Sequence, residues 1–304
     1  MSLYLKAYGD KLIVGDIVRS MSLLRLSNDG KNLDEIARDF NTVHLLAVEA
    51  LPGGDHFIGC DDFGNLTVLR HQTEAISDEE RSKLDVFGEF SLGDFVNVFC
   101  KGTLVGQPIE NETGMNVSSG GGDGSASVKV ESSSSFGVTS TILSSNYQNV
   151  TGFATQNGDY SVLYGTIGGS VGSVMALRED SYHFFSALEK SMNRIMQPVG
   201  GLTHDEWRCC NNSVRTSPQK NVVDGNVVEM FLDLSGEEQE QVTRYLNEDL
   251  NNYIVQLQEK NADKKVKVDS SASVAILLQN LANDKVELSV EDVVRRVEDI
   301  SRLH

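Results

Sequence analysis

Three segments of the chain repeat one hairpin pattern, and this repetition limits the possible folds more than any other sequence feature. In each segment an apolar residue precedes a glycine, a polar turn follows, and the chain then enters an alternating strand; the glycines are Gly15, Gly59 and Gly165. Gly15 and Gly59 lie 44 residues apart, close to the roughly 40–50 residues of a four-stranded propeller blade. Gly59 and Gly165 lie 106 apart, which fits one further blade with insertions. The pattern therefore predicts successive blades of a β-propeller.

The first part of the chain is predicted to consist of short strands separated by Gly, Asp and Asn. Runs rich in Val, Ile, Leu, Phe and Tyr predict strands within Leu3–Tyr8, Lys11–Leu26, His44–Leu51, Asp55–Arg70, Phe95–Val105 and Ser161–Leu177. One helix is predicted over Ser77–Phe87, with Ser77 as N-cap and Glu80 closing a capping box. The Gly/Ser-rich tract at about residues 110–148 predicts a disordered blade loop, because such a composition buries too little apolar surface to offset ordering entropy.

The periodicity becomes helical after Asp180. Apolar residues at helical spacing predict helices over about Phe185–Met196, Gly236–Glu259, Ser271–Leu281 and Ser289–Leu303, the last capped by Ser289 with Asp292 at the third position.

The predicted fold class is mainly β followed by α. Residues 1–178 are expected to form the last blades of an incomplete, seven-bladed-type β-propeller, and residues 179–304 a C-terminal helical domain. Because a ring needs at least about four blades, we expect the chain to be the end of something longer.

The charge of the chain favours protein partners over nucleic acid. Lys and Arg number 26 against 44 Asp and Glu, which gives a net charge of −18. Sequence-independent binding to a duplex depends on clustered cations, so direct DNA binding is disfavoured. No segment approaches the roughly 18 apolar residues of a membrane-spanning helix, and the N-terminus lacks a signal-peptide core. We therefore expect a nuclear or cytosolic protein without membrane association.

Motifs for catalysis or metal binding are missing from the sequence. The six His residues have no metal-ligand spacing, and no nucleophile or phosphate-binding motif is present. Asp16 and the Asp61–Asp62 pair fall at hairpin turns, where Asp is expected to accept backbone hydrogen bonds. The cysteines are expected to be reduced, buried thiols; they are Cys60, Cys100, Cys209 and Cys210. The sequence therefore predicts a non-enzymatic protein without catalytic residues, metal ligands or cofactors.

Several stretches resemble a known family, in the same order along nearly the whole chain. They are LYLKAYGDKLIVGDIVRSMSLL from Leu3, DEIARDFN (Asp34–Asn41), Ser77–Val105, SVLYGTIGGSVG, Val222–Ser235 and Val290–His304. Together they resemble the C-terminal quarter of the large subunit of the UV-damaged-DNA-binding protein, the triple-propeller adaptor of cullin-RING ubiquitin ligases. The large propeller subunits of the splicing and cleavage-polyadenylation complexes belong to the same superfamily. Phe63–Leu66 also resembles the splicing branch, which remains the alternative.

The resemblance implies a scaffold in the DNA damage response and in protein ubiquitination, located in the nucleus and also in the cytoplasm. Its implied partners are substrate-receptor proteins, which insert helices, and the remaining propellers of the adaptor. Cullin and damaged DNA are implied as indirect partners only, because the cullin-docking middle propeller is absent from this sequence and a small partner subunit reads the DNA.

The resemblance also implies a receptor-binding surface at one rim of the propeller. The matching positions are Leu3, Tyr4, Ile17, Phe95, Asn97, Val98 and Ile167. His44 stands where relatives often carry a Trp at this surface, which would remove apolar contact area. The alternative is that Ile17, Phe95 and Val98 fill the propeller core, and alternation alone favours this for Val98.

Overall fold

The computed structural model describes residues 2–27, 30–102, 161–198, 200–213, 215–262 and 287–302. At residues 2, 3 and 257–262 it describes the backbone but not the side chains. The predicted Gly/Ser loop at about 110–148 and the predicted helix Ser271–Leu281 lie outside the described residues.

Within those ranges the strands form sheets in which chain neighbours pair antiparallel. The strands are β1 (Ser2–Tyr8), β2 (Lys11–Asp16), β3 (Ser20–Leu26), β4 (Leu33–Arg38), β5 (Leu45–Ala50), β6 (His56–Asp61), β7 (Asn65–His71), β8 (Leu84–Ser91), β9 (Val96–Lys101), β10 (Val162–Thr166), β11 (Val171–Val174), β12 (Cys210–Asn211) and β13 (Thr216–Ser217). The first sheet has the order β1-β2-β3-β4, the second β5-β6-β7-β8 and the third β11-β10-β9, while β12 and β13 form a short ribbon. This sequential pairing is the topology of propeller blades.

The three hairpins predicted from the sequence are confirmed. They are β2–β3 in the first sheet, β6–β7 in the second and β10–β11 in the third, each paired antiparallel across its turn. The mainly β character of the first part of the chain is therefore as predicted.

The second sheet packs face to face between the first and the third. Because side chains alternate across a strand, Val48 of β5 faces the first sheet while Ala47 faces the third. Ile13 and Leu23 of the first sheet are fully buried against Phe57 of the second. Two buried apolar layers therefore hold the sheets in order.

The predicted helix over Ser77–Phe87 is wrong in its extent. Only α1 (Asp78–Arg81) is helical; Ser77 caps it by accepting a hydrogen bond from Glu79 N. Leu84–Phe87 instead begins β8, in which Leu84 pairs with His71. Leu84 is 1% exposed, so burial in the sheet overrides the local helical preference.

The third sheet corrects two expectations about burial. Phe99 and Val162 are buried against the second sheet, but Val98 is 52% exposed and Cys100 is also exposed. The expectations of a buried Cys100 thiol and of a core position for Val98 are therefore wrong. The physical reason is that, among the described residues, only one face of this sheet has a packing partner.

The last part of the chain is mainly helical. Its helices are α2 (Glu179–Asn193), α3 (His204–Trp207), α4 (Gly225–Glu229), which continues into a 3₁₀ turn (Met230–Asp233), α5 (Gly236–Ala262) and α6 (Val290–Ser301). The predictions of α2, α5 and α6 are confirmed, as is the Ser289–Asp292 capping box of α6. None of the described helices is long and apolar enough to cross a membrane.

One buried apolar cluster joins these helices. Leu188 of α2, Val242 of α5 and Val297 of α6 are fully buried around Phe231 of the 3₁₀ turn. These residues belong to the apolar stripes that the sequence shows on the three helices, so the stripes pack against one another as the core of the helical part.

The segment after α3 packs along the outer edge of the second sheet. Lys220 and Glu89 exchange two backbone hydrogen bonds of 2.9 Å, and Ser91 N donates to Arg208 O at 3.2 Å. Arg215 forms an ion pair with Glu89, and Asn221 Nδ2 donates to Phe87 O at 2.8 Å. These contacts occupy backbone groups of β8 that an edge strand would otherwise expose.

Replacing Phe231 by alanine should destabilise the helical part by about 3–5 kcal/mol, because it removes a fully buried aromatic side chain from the cluster. Met230→Ala is the matched control, since Met230 lies in the same turn and is 43% exposed; a change of about 0.5 kcal/mol or less is expected. Urea unfolding followed by far-ultraviolet circular dichroism measures both. Equal unfolding midpoints for the two variants would contradict the packing described here.

Candidate protein-binding surface

The connections at one end of the three sheets carry exposed, large apolar side chains. We call this surface the rim; it comprises Val18 in the β2–β3 turn, Phe40 between β4 and β5, Phe63 in the β6–β7 turn, Phe95 between β8 and β9, and Ile167 in the β10–β11 turn. Their exposures range from 41% for Phe95 to 69% for Ile167.

Backbone hydrogen bonds join these connections into one surface. Asp62 N donates to His44 O at 3.2 Å, Leu92 N to Gly64 O at 2.9 Å, and Ile167 N to Phe95 O at 2.9 Å. The β4–β5, β6–β7 and β8–β9 connections are therefore joined to one another and to the β10–β11 turn, and the β2–β3 turn joins them where Ser20 Oγ donates to Asp39 Oδ2 at 2.7 Å.

Aspartates fix the turns that present the apolar side chains. Asp16 Oδ1 accepts from Val18 N at 2.8 Å, and Asp61 Oδ1 accepts from Phe63 N at 3.0 Å. Each carboxylate thus bonds to the backbone of the apolar residue two positions later, as an Asx turn does. This confirms the structural role predicted for Asp at these hairpin turns.

Asp61 is the most deeply buried of these anchors, at 2% exposure. Burial raises the pKa of Asp61, while hydrogen bonds from the Asn65 side chain and backbone oppose the shift. The Asn65 backbone N–H donates to Asp61 Oδ1 at 2.8 Å, and Asn65 Nδ2 donates to Oδ2 at 2.9 Å. Both carboxylate oxygens are therefore used inside the turn.

Gly64 allows the second and third sheets to approach at the rim. Its φ of +77° suits glycine, and a Cβ at this position would lie 3.1 Å from the backbone N and O of Asp94. Hydrogen bonds from the Thr166 side chain and from the Phe95 N–H lower the pKa of Asp94. Asp94 therefore links the Phe95 connection to the β10–β11 turn.

The eight residues implied by the resemblance fall into two groups, of which the first lies near the first two sheets. Ile17 and His44 are half-buried and line one cleft, in which His44 Nδ1 lies 3.2 Å from Asp62 Oδ2. Tyr4 is half-buried and packs against the core between the first two sheets. Leu3 belongs to β1, and its side chain lies outside the described residues.

The second group lies on the third sheet and the connection before it. Phe95 and Ile167 are adjacent rim residues, and Asn97 and Val98 follow Phe95 along β9 with exposed side chains. The alternative of a core position is wrong for Val98 and for Phe95, which is 41% exposed.

Val18, Phe40 and Phe63 are not among the receptor-binding positions implied by the resemblance, although they belong to the same rim. A local signal was available, because an Asp lies one or two residues before each of them: Asp16, Asp39 and Asp61. At these three positions the Asp side chain accepts a backbone N–H of its own turn, and the apolar side chain beside it is exposed.

A buried polar network connects the helical part to the rim. The guanidinium group of Arg208 donates to Asp224 Oδ2 at 2.6 Å and to Ser91 O at 3.1 Å, and it lies 4.5 Å from the centre of the Phe90 ring. His204 Nε2 lies 3.1 Å from Asp224 Oδ2, and burial raises the pKa of the neighbouring Glu189. Because Ser91 ends β8, this network holds the strand from which the Phe95 connection departs.

Two of the described cysteines, Cys60 and Cys210, are buried. Burial raises the pKa of Cys60 and of Cys210 to about 12, so both remain protonated at neutral pH. Within the described ranges, no group of three or more His, Cys, Asp or Glu side chains could hold a metal ion.

Comparison with known proteins shows similarity over most of the chain. The family model described as the CPSF A subunit region matches residues 1–233. DNA damage-binding protein 1a of Arabidopsis thaliana is 31% identical over 81% of this chain and 19% of its own length. DNA damage-binding protein 1 of Solanum lycopersicum is 30% identical over the same shares, and that of Oryza sativa subsp. japonica is 30% identical over 80% of this chain and 18% of its own length. The chain thus spans about a fifth of the length of these relatives.

Asp61→Ala should destabilise the protein by about 1–3 kcal/mol, because it leaves the backbone N–H groups of Phe63 and Asn65 without their acceptor. Asp62→Ala is the neighbouring control; its side chain is 40% exposed, and an effect within about 0.5 kcal/mol is expected. Thermal and urea unfolding of both variants measure the difference. An Asp61→Ala variant as stable as the control would show that the carboxylate does not hold the turn.

Proposed function

The chain belongs to the CPSF A subunit region family, and from that premise we propose that it is a non-enzymatic scaffold that binds other proteins through the rim. We further propose that it is the substrate-receptor-binding part of a cullin-RING ubiquitin ligase adaptor, acting in the DNA damage response in the nucleus and also in the cytoplasm. The names of the similar plant proteins support the link to DNA damage.

The observation that carries this proposal is the set of exposed apolar side chains on neighbouring turns at one end of the three sheets. Soluble monomers seldom expose contiguous apolar patches without a binding role. Phe63 is 49% exposed and Phe95 41%, and aromatic side chains of this kind are frequent hot spots in protein interfaces. An apolar rim suits the apolar face of a partner helix. Of the positions implied by the family, Phe95, Asn97, Val98 and Ile167 have exposed side chains, which supports this role.

The net charge argues that contact with damaged DNA is indirect. At −18, this chain would repel a phosphate backbone rather than release its counterions. In this proposal a partner protein reads the DNA, and cullin is reached through the remaining propellers of the adaptor. Residues 1–178 would be the last blades of a seven-bladed-type propeller and residues 179–304 its helical domain.

The second candidate is a scaffold role in a splicing or pre-mRNA 3′-end processing complex. It is supported by the family description, which names a CPSF A subunit, and by the Phe63–Leu66 stretch. The same rim would then bind subunits of that complex instead of substrate receptors. The two candidates differ in the identity of the partners, not in the surface they use.

Affinity purification of the full-length, tagged gene product tests the proposal. The wild-type protein should recover cullin and substrate-receptor proteins. A double variant, Phe95→Asp with Ile167→Asp, should recover at least about tenfold less receptor, because it places charges in the centre of the apolar surface.

Val255→Asp is the matched control, because Val255 is 51% exposed on α5, a helix that contributes no residue to the rim; its recovery should equal that of the wild type. Recovery of splicing or 3′-end processing subunits alone would favour the second candidate. Undiminished recovery by the double variant would show that the rim is not the binding surface.

A further inference from the structure

A small cleft opens in the rim between the first and second sheets. It has a volume of about 200 Å³ and is lined by Ile17, Val18, Val43, His44, Asp62 and Phe63, with the 212–213 segment at its side. Sites for small molecules usually measure roughly 300–1,000 Å³. The cleft is therefore of a size for one side chain of a partner rather than for a free metabolite.

The apolar walls of the cleft are open to solvent. Val18 is 60% exposed and Phe63 is 49% exposed, while Ile17, which lines the same cleft, is half-buried. The turns that carry Val18 and Phe63 are held by Asp16 and Asp61, so the walls are preorganised. They offer aliphatic side chains and one aromatic ring.

One carboxylate of the cleft is available to a ligand. Both oxygens of Asp61 are used inside its turn, whereas the Asp62 side chain is 40% exposed and contacts His44 Nδ1 through Oδ2 at 3.2 Å. Among the ion pairs of the described residues, none joins Asp62 to a Lys or Arg. Within the described residues, His44 is thus the only ion-pair partner of this carboxylate, and it contacts Oδ2.

We propose that this cleft binds an arginine side chain of a partner protein. The guanidinium group pairs with Asp62 and stacks on the face of Phe63, and the aliphatic stem lies against Ile17 and Val18. Arginine fits better than lysine, because its planar group can stack on a ring and bind a carboxylate at the same time. This inference rests on the proposed function and deepens it, since it names the chemistry by which the partner is anchored at the rim.

The test is a titration of the isotope-labelled full chain with N-acetyl-arginine methylamide, followed by amide chemical shifts. The amides of Val18, Asp62 and Phe63 should shift, with a Kd on the order of 1 mM for so small a ligand. The citrulline analogue has the same shape without the charge and should cause no shifts in this concentration range. Asp62→Asn should weaken arginine binding at least about tenfold.

Glu237→Gln is the control for net charge, because Glu237 is exposed in the first turn of α5; it should bind arginine as the wild type does. Equal shifts with citrulline, shifts away from the cleft, or unchanged binding by Asp62→Asn would overturn the proposal. The titration contains no partner protein, so its failure would overturn the arginine site alone. Undiminished receptor recovery by the rim variant in the purification experiment would overturn the proposed function.

Discussion

The structure of the rim depends on hydrogen bonds between aspartate carboxylates and backbone N–H groups in its turns. A tight turn leaves N–H groups without strand partners, and Asp16, Asp61 and Asp94 accept from them at 2.7–3.0 Å. Hydrogen bonds to a charged acceptor are stronger than those between neutral groups. The carboxylate fixes the backbone of the turn, and the apolar side chain of the same turn is exposed. An acidic protein can in this way present an apolar binding surface.

The helical part stabilises this surface from behind. Arg208 bridges Asp224, which caps α4, and Ser91 at the end of β8. Its charge is balanced by Asp224, whose side chain is 3% exposed, and removing either partner of such a buried pair is strongly destabilising. A second hydrogen bond connects the β6–β7 turn to β12, because Asn65 Nδ2 also donates to Asn211 O at 3.2 Å. The rim is therefore held by residues far apart in the sequence.

Much of this architecture can be predicted from local patterns. The three hairpins follow from alternation and turn residues, and α6 follows from its apolar stripe and the Ser289 cap. These features are determined by neighbours in the sequence. The Asp turns could be predicted for the same reason, although the exposed Phe40 and Phe63 beside them were not recognised.

What sequence reasoning missed depends on tertiary contacts. β4 (Leu33–Arg38) is an edge strand whose first three residues are exposed, so it lacks the apolar alternation of a buried strand. β8 replaces a predicted helix because Leu84 is buried in the sheet. Val98 and Cys100 alternate as core residues do, but they lie on a sheet face that no other described element covers. The Arg208–Asp224 network joins residues 16 positions apart whose proximity has no local signal.

Hydrogen–deuterium exchange of individual amides, followed by NMR on the free chain, tests the central claim most directly. The claim predicts that the amides of Val18, Phe63 and Phe95 exchange slowly although their side chains are exposed, because each donates to an aspartate carboxylate. It also predicts that Asp61→Asn, which keeps one acceptor oxygen, retains more protection at Phe63 than Asp61→Ala does. Exchange of all three amides at the rate of unstructured peptides would contradict the account, since the rim would then have no fixed surface to offer.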